Sequence, residues 1–414
     1  VNLDRWRLAL YGTAHGGKSL FWHTAELLLG YILTEAWRVP PHDAARILAL
    51  TMTLSATLDI VVARTLSHGH LTVGKAVHIQ AWASLACGIA FIMFGASGLL
   101  HPHLREPAAI LCISAFRIAY VFIDVPQNAL LPLLTDGERE RTLFTSTRYV
   151  TGGIAAVLVT GVLAPALMHD IASASRTFFV FTVAVSVTAI IGAFLLRTNL
   201  HSMRNNEPPT HELKPLTSTD STPFGCVLIA MFAVSAGTST FGRLEMYFVT
   251  YGSTANVTQL LLSIAAGGVL MQPLWLRLSS HYLLPRMLRI AAVSMLVATA
   301  GFHVAASTGG ATLLIAGFVY GGSCAGVLMG LWALAAGAAA RRAGGCEPAM
   351  NMALLTFSAK MGLAMSAIAT GWLLHGADYR SPTSESVLQA MTYAAACGAL
   401  ASMTLSGARK PLRD

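Results

Sequence analysis

The feature that most constrains this chain is the recurrence of mostly apolar runs of roughly 20 residues, the helix length that crosses the ~30 Å hydrocarbon layer of a bilayer. Twelve runs fall near 8–33, 44–66, 76–99, 107–134, 149–169, 176–196, 224–251, 257–278, 287–308, 310–338, 350–375 and 386–406. Only 11% of the 414 residues are charged and 55% are hydrophobic, with a mean hydropathy of +0.61. A soluble chain carries about a quarter charged residues, and no soluble core could hide so much apolar side chain. Inside lipid each backbone amide must pair within its own segment, so the runs are predicted to be helices and the chain an all-α membrane protein.

Loops between the spans are short. The exception runs from Arg197 to Pro223, is rich in Ser and Thr, and holds Pro208-Pro209. It divides the chain into an N-terminal six-helix bundle (1–196), a linker (197–223) and a C-terminal six-helix bundle (224–414). Of the 27 Lys and Arg, 17 fall on the side shared by both termini and the linker, and only Arg38, Arg46, Arg105, Arg176 and Arg380 fall opposite. Positive loops stay in the cytoplasm, which predicts a multi-pass protein of the cytoplasmic (inner) membrane with both termini cytoplasmic. Topology therefore accounts for the net charge of +8, and nucleic acid is not expected as a partner. The six cysteines, Cys87, Cys112, Cys226, Cys324, Cys346 and Cys397, show neither a disulfide framework nor zinc spacing and read as small core residues. The first apolar run carries His15, Lys18, His23 and Glu26, too polar for a cleavable signal peptide.

Two loops echo each other. Arg64-Thr-Leu-Ser-His68 follows the second span and Arg277-Leu-Ser-Ser-His281 follows the eighth, about half the chain later. With the linker and the span count, this resembles the plan of the major facilitator superfamily, in which two parallel six-helix halves flank a midplane substrate site.

Nine charges remain inside or at the edges of the spans: Lys18, Arg117, Arg148, Arg243 and Lys360, with Glu26, Asp59, Asp124 and Glu245. An unpaired charge there costs at least about 2.5–3.5 kcal/mol on insertion scales, so these groups either pair between helices, as Asp124 with Arg148 or Asp59 with Lys360, or line a wet cavity. Helical spacing favours a cavity. His15, Lys18, Trp22 and Glu26 form one stripe on the first span, and Arg117, Tyr120, Asp124 and Asn128 another on the fourth. Thr51, Ser55 and Asp59 align on the second, and Ser239, Arg243, Tyr247 and Tyr251 on the seventh. Trp332 adds an aromatic plane of the kind that stacks on a sugar ring, although a core or interface Trp is at least as common. Gly321-Gly322 reads as close helix packing, and His78 and His303 as structural residues.

At the fourth span the pattern becomes specific. Asp124-Val-Pro-Gln-Asn-Ala-Leu-Leu-Pro-Leu-Leu-Thr-Asp136, followed by Glu138-Arg-Glu-Arg-Thr142 and Arg148, resembles the signature of the glycoside-pentoside-hexuronide:cation symporters, the family of melibiose permease. Tyr11-Gly12 with Gly16-Gly17, and Phe357-Ser-Ala-Lys360-Met-Gly362 ending in Gly371-Trp-Leu-Leu-His-Gly376, resemble two further motifs of that family. The resemblance implies that Asp124 and Arg148 match the sugar-binding acid and its supporting arginine, Trp332 and Lys360 the aromatic and lysine of the tenth and eleventh helices, and Asp59 one of two cation-site acids. The chain also departs from the family pattern. The other cation-site acid is Ser55, a frequent Asn is Leu58, the Pro after the second acid is Ile60, the first-helix sugar-binding acid is Ser19, the fourth-helix aromatic is Asn128, and the acid usual after the tenth helix is absent from 335–340.

Sodium wants several hard oxygen ligands, whereas a proton needs one buried carboxylate, which Asp59, Asp124 or Glu26 could supply. The expectation is therefore a secondary transporter that couples a small polar solute, such as a sugar or sugar derivative, to a proton in preference to sodium, by alternating access. The candidate substrate residues are Asp124, Arg148, Trp332, Lys18, Trp22, Glu26, Asn128 and Tyr120, and the candidate coupling residues are Asp59, Ser55, Asp124 and Lys360. Lys18, His23, Glu26 and Arg243 make the site more charged than a neutral glycoside needs, which points towards a modified, acidic or zwitterionic solute. Neither cofactor nor structural metal is expected, and the chain is expected to work as a monomer. Proton-driven export of a drug or metabolite is the alternative, and a transporter-shaped receptor or lipid flippase is a third class. No nucleophile–base pair, zinc spacing or phosphate loop suggests an enzyme.

Overall fold

A computed structural model describes residues 2–68, 71–135, 138–169, 173–200, 223–252, 257–340, 348–376, 379–380 and 385–405. Most of the expected linker, the arginine pair at 341–342 and Cys346 lie outside the described residues. Twelve helical stretches follow one another, and the described residues contain no strand. They are α1 (2–36), α2 (Pro41–His68), α3 (Val73–Ser97), α4 (Pro102–Leu133), α5 (138–169), α6 (Ala174–Leu200), α7 (224–252), α8 (257–281), α9 (Leu284–Thr308), α10 (Gly310–Ala340), α11 (Pro348–Gly376) and α12 (Glu385–Leu405).

Local chemistry sets many of the boundaries. Proline, which lacks the N–H that a first turn leaves unpaired, opens α4 and α9. Thr72 caps α3 by accepting from the Lys75 amide. Helix α8 is interrupted at Met271, just before Gln272-Pro273. The echoing segments close matched elements, since His68 ends α2 and His281 ends α8. Several helices outrun the apolar spans read from sequence, because flanking residues continue the hydrogen-bond ladder beyond the hydrocarbon.

Ten of the helices are long and apolar enough to cross a membrane. The first falls outside that set because its inward stripe is polar, and α12 because Gly, Ser and Thr dilute its apolar residues. Large apolar side chains point outward around the bundle, with Trp372 83% exposed and Leu50, Leu111, Val297, Val304 and Ile315 also exposed, while Asp59, Arg117 and Lys360 are buried. That inversion of the soluble pattern is what a lipid solvent selects.

In the first half α3 packs on α4 and α6, and α1 on α5 and α6; in the second, α7 packs on α11 and α12, and α10 on α8 and α9. The halves meet along α2 with α11, and along α5 with α8. At the α8–α10 contact, a Cβ on Gly321 would collide with the Ile264 carbonyl oxygen and one on Gly267 with that of Phe318, so the glycines permit backbone contact there. His303 donates or accepts at Thr392 on α12, whereas His78 lies exposed on the outer face of α3 rather than in the core.

Candidate functional site

Between the halves lies a cavity of about 450 Å³. Helix α1 enters it with the stripe expected from spacing, and Lys18, Trp22 and Glu26 all line the wall. A π-helical turn at Thr24–Leu28 places Glu26 in a widened part of the helix, and a second at Ile32–Ala36 holds Glu35. Such turns are rare and recur where a side chain must be re-aimed.

Helix α4 supplies the centre. Asp124 pairs with Lys18 and, at 3.0 Å, with the Lys360 ammonium; its other oxygen, Oδ1, also accepts from the Asn128 amide at 2.9 Å. Lys360 reaches on to Asp59 Oδ1 at 2.7 Å, so one ammonium from α11 joins carboxylates of α2 and α4. Arg148 does not pair with Asp124 directly, as one reading of the sequence allowed. Its guanidinium donates to Asn128 Oδ1 at 2.7 Å and lies 3.7 Å over the Trp332 ring. Lys18 donates to the same Asn128 oxygen at 3.1 Å. Trp22 stacks on Tyr120 with ring centroids 5.7 Å apart, and the Lys360 ammonium sits over the other side chain of that pair, Tyr120, at 5.7 Å.

Of the candidate residues, Lys18, Trp22, Glu26, Tyr120, Asp124, Arg148, Trp332 and Lys360 line the cavity. Asp59, Ser55 and Asn128 stand behind that wall. Asp59 and Ser55 have no exposed surface, and both the Ser55 hydroxyl and Asp59 Oδ2 lack a hydrogen-bond partner.

A second charged group bridges the halves. Glu26 accepts from Arg117 at 2.6 Å and from Arg243 at 2.7 Å, and Arg243 also donates to Ser239 at 3.2 Å. Nearer the end opposite the termini, Glu35 accepts from the Tyr251 hydroxyl at 2.8 Å, from Tyr379 at 3.0 Å and from Arg380 at 3.2 Å, and Thr34 bonds the Tyr247 hydroxyl at 2.9 Å. Burial, then the Glu35 charge beside it, pushes the Tyr379 phenol above its ordinary range and keeps it a donor. This cluster was not legible in the sequence: Glu35 sits at a span edge, and Tyr379 and Arg380 lie in a loop with no periodicity. The spacing of Tyr247 and Tyr251 on the stripe of Arg243 was its only signal.

The arrangement surrounds a solute-sized space with ammonium, guanidinium, carboxylate and aromatic groups from both halves. Proteins of solved structure share the architecture. A bacterial homologue of the iron transporter ferroportin in an outward-facing state is 15% identical with a TM-score of 0.66, the alignment covering 99% of this chain and 100% of that one. FucP, a Major Facilitator Superfamily transporter in the outward conformation, is 10% identical with a TM-score of 0.63 over 97% and 99% of the two chains. The nucleoside transporter NupG is 13% identical with a TM-score of 0.60 over 97% and 100%. At such identity the likeness establishes the fold alone. No curated protein matches the chain. Residues 10–405, nearly the whole sequence, match the family described as MFS/sugar transport protein, and the chain therefore belongs to that family of membrane transporters.

Proposed function

We propose that the chain is a proton-coupled symporter of a small polar solute, such as a sugar or sugar derivative, of the glycoside-pentoside-hexuronide:cation type. The observation that carries this is the Lys360 bridge from Asp59 to Asp124 beside the cavity, with one cation shared between the candidate coupling acid and the candidate substrate acid. The cavity lies within the roughly 300–1,000 Å³ typical of small-molecule sites. Asp124, Arg148, Lys18 and Glu26 are assigned to the solute's polar groups, with Asn128 behind them orienting Arg148 and Lys18, and Trp332, Trp22 and Tyr120 as the aromatic faces.

Asp59, Ser55 and Lys360 are assigned, with Asp124, to coupling. Sodium is disfavoured because Asp59 Oδ1 is already taken by Lys360 and Ser55 replaces a carboxylate, leaving too few hard oxygens. On this reading the chain divides at 197–223 into bundles that rock about the chamber, both termini face the cytoplasm of the inner membrane, and a monomer is sufficient. Lys18, Arg148 and Glu26 together favour a charged or zwitterionic derivative over a neutral glycoside.

Thermal-shift screening of sugars, sugar acids and amino sugars at two pH values selects the solute. Uptake into proteoliposomes under separate gradients then tests coupling: a pH gradient is expected to drive accumulation, and clear stimulation by sodium alone overturns the assignment. Asp124→Asn is expected to lose binding while expressing normally; normal transport by it removes the central role of Asp124. The wall formed by Met231, Leu261, Ile264 and Leu328 is apolar, which favours one second reading, proton-driven export of a more apolar metabolite. Opposite pH dependence in inside-out and right-side-out vesicles separates the two.

A further inference from the structure

Four acids lie deep in the bundle close to the chamber, and three are tied to cations. Asp59 is held by Lys360, Asp124 by Lys18 and Lys360, and Glu26 by Arg117 and Arg243. Each of those carboxylates has a counter-charge in direct contact. Glu245 on α7 is different. It lines the same cavity, is 5% exposed, and its Oε1 is sealed from solvent without a hydrogen-bond partner.

The groups around Glu245 offer it no cation. On its own helix Arg243 is turned to Glu26, and Tyr247 to Thr34. From α10 the ionisable neighbours are Tyr320 and Cys324, both lining the cavity, and the buried Tyr320 hydroxyl has the Cys324 thiol as its polar neighbour. Tyr320 stacks on Phe241, one turn before Glu245, at 4.0 Å between centroids. The cavity-lining residues Leu261 and Ile264 of α8 are apolar, and Lys360 of α11 is committed to Asp59 and Asp124. A carboxylate largely buried there without a counter-charge costs several kcal/mol, and a single proton removes that cost.

We propose that Glu245, beside Tyr320, is a proton-binding site on the second-half wall of the chamber, distinct from Asp59 on the first. Protonated, it presents an O–H donor to the cavity; on releasing the proton to cavity water it becomes an anion facing an aromatic wall. The site gives the second half its own titrating group, so a proton can be taken up on either side of the solute. Its use in coupling rests on the transport reading above, whereas its existence follows from the packing around Glu245.

The test is infrared difference spectroscopy of the full chain in lipid, between mildly acidic and alkaline buffer. A carbonyl-stretch band of a protonated carboxyl is expected in the unaltered protein, lost in Glu245→Gln and shifted in Glu245→Asp. The aspartate variant keeps the test decisive if the glutamine variant fails to fold. A band that persists in Glu245→Gln, or is unmoved in Glu245→Asp, overturns the proposal.

A second arm uses vesicles loaded with a pH-sensitive dye, with glucuronate, glucosamine and melibiose as probes. If the band is lost in Glu245→Gln but no probe moves protons in the unaltered protein, the proton site stands and the coupled-transport reading falls. If protons move with a probe and Glu245→Gln retains both band and movement, the transport reading stands and the proton site falls.

Discussion

The bridge between Asp59 and Asp124 makes a quantitative claim through Lys360→Met. The ammonium lies 2.7 Å from Asp59 Oδ1 and 3.0 Å from Asp124 Oδ2. Methionine keeps most of the stem's volume and removes only the charge and its donors. Asp124 would retain Lys18 and Asn128. Asp59, with no exposed surface, would retain no cation and only the Thr356 hydroxyl beside it. Breaking a buried pair by removing one partner costs about 3–5 kcal/mol, because an uncompensated charge is left behind.

Removing both partners is a different perturbation. In Lys360→Met with Asp59→Asn the orphan carboxylate is gone, and the loss should fall to about 1–2 kcal/mol, the range for exchanging polar contacts without leaving a charge. The double variant should therefore be more stable than the single one by about 2–3 kcal/mol, and the coupling in the cycle is that difference plus whatever Asp59→Asn costs alone. Reversible unfolding in mixed micelles of increasing denaturing detergent measures this, with Asp59→Asn alone closing the cycle. A single variant within about 1 kcal/mol of the unaltered protein, or a double variant no better than the single, refutes the idea that Lys360 holds Asp59 as a desolvated ion pair.

Glu35→Gln should loosen the hydrogen-bonded cluster that joins the halves at the end opposite the termini. Hydrogen bonds to a buried charged acceptor contribute about 1.5–3 kcal/mol each, and two of the three donors are tyrosines, the half-exposed Arg380 adding little. Labelling of Cys324, which lines the cavity, by a membrane-impermeant maleimide from that side should rise at least about tenfold. Trp332→Ala should weaken solute affinity or pre-organisation through loss of the Arg148 stack, by about 0.5–2 kcal/mol, and Trp332→Phe should recover part of it; equal affinities for all three sink the assignment. Gly321→Ala should destabilise by about 1–3 kcal/mol by driving α8 from α10, whereas Gly301→Ala, which meets nothing within 4 Å, should be neutral or stabilising. Parallel unfolding curves for the two variants would contradict the packing at α8–α10.

Much of this architecture is legible from residue spacing, for physical reasons. Backbone satisfaction in lipid turns every long apolar run into a helix, so the number and order of helices follow from composition. Intramembrane charges are expensive, so the stripes carrying Lys18, Glu26, Asp124 and Arg243 had to face inward, and they line one cavity. Pairing between helices is harder to read. Lys360 matching Asp59 was one option among several, and Asp124 meets Lys18 and Lys360 rather than Arg148, with Asn128 as the shared intermediate. Spacing along one helix fixes a face, whereas the partner depends on tilt and translation of another helix, which no local pattern encodes. The isolation of Glu245 is illegible for the same reason, since it depends on every neighbour being turned elsewhere.

The contacts that cross between the halves are of two kinds. Small and apolar residues pack across, as with Gly371 against Ala45 and Gly153 against Val269. Polar contacts cross as well: Asp59 to Lys360 from α2 to α11, Glu26 to Arg243 from α1 to α7, and Glu35 to Tyr251 and Arg380. An apolar interface is insensitive to a bound proton or a polar solute, whereas an ion pair is not. A ligand shifts a two-state equilibrium only by the difference in its interaction with the two states. A solute that touched one half alone would leave that equilibrium where it was. One that replaces a partner in a crossing ion pair changes the closed arrangement by the worth of that pair, several times the thermal energy where both groups are buried. On the transport reading proposed above, the chamber's charges on the seams between the halves link occupancy to movement, and exchanging the Asp59–Lys360 pair for two apolar residues should leave a stable bundle whose opening no longer responds to what is bound.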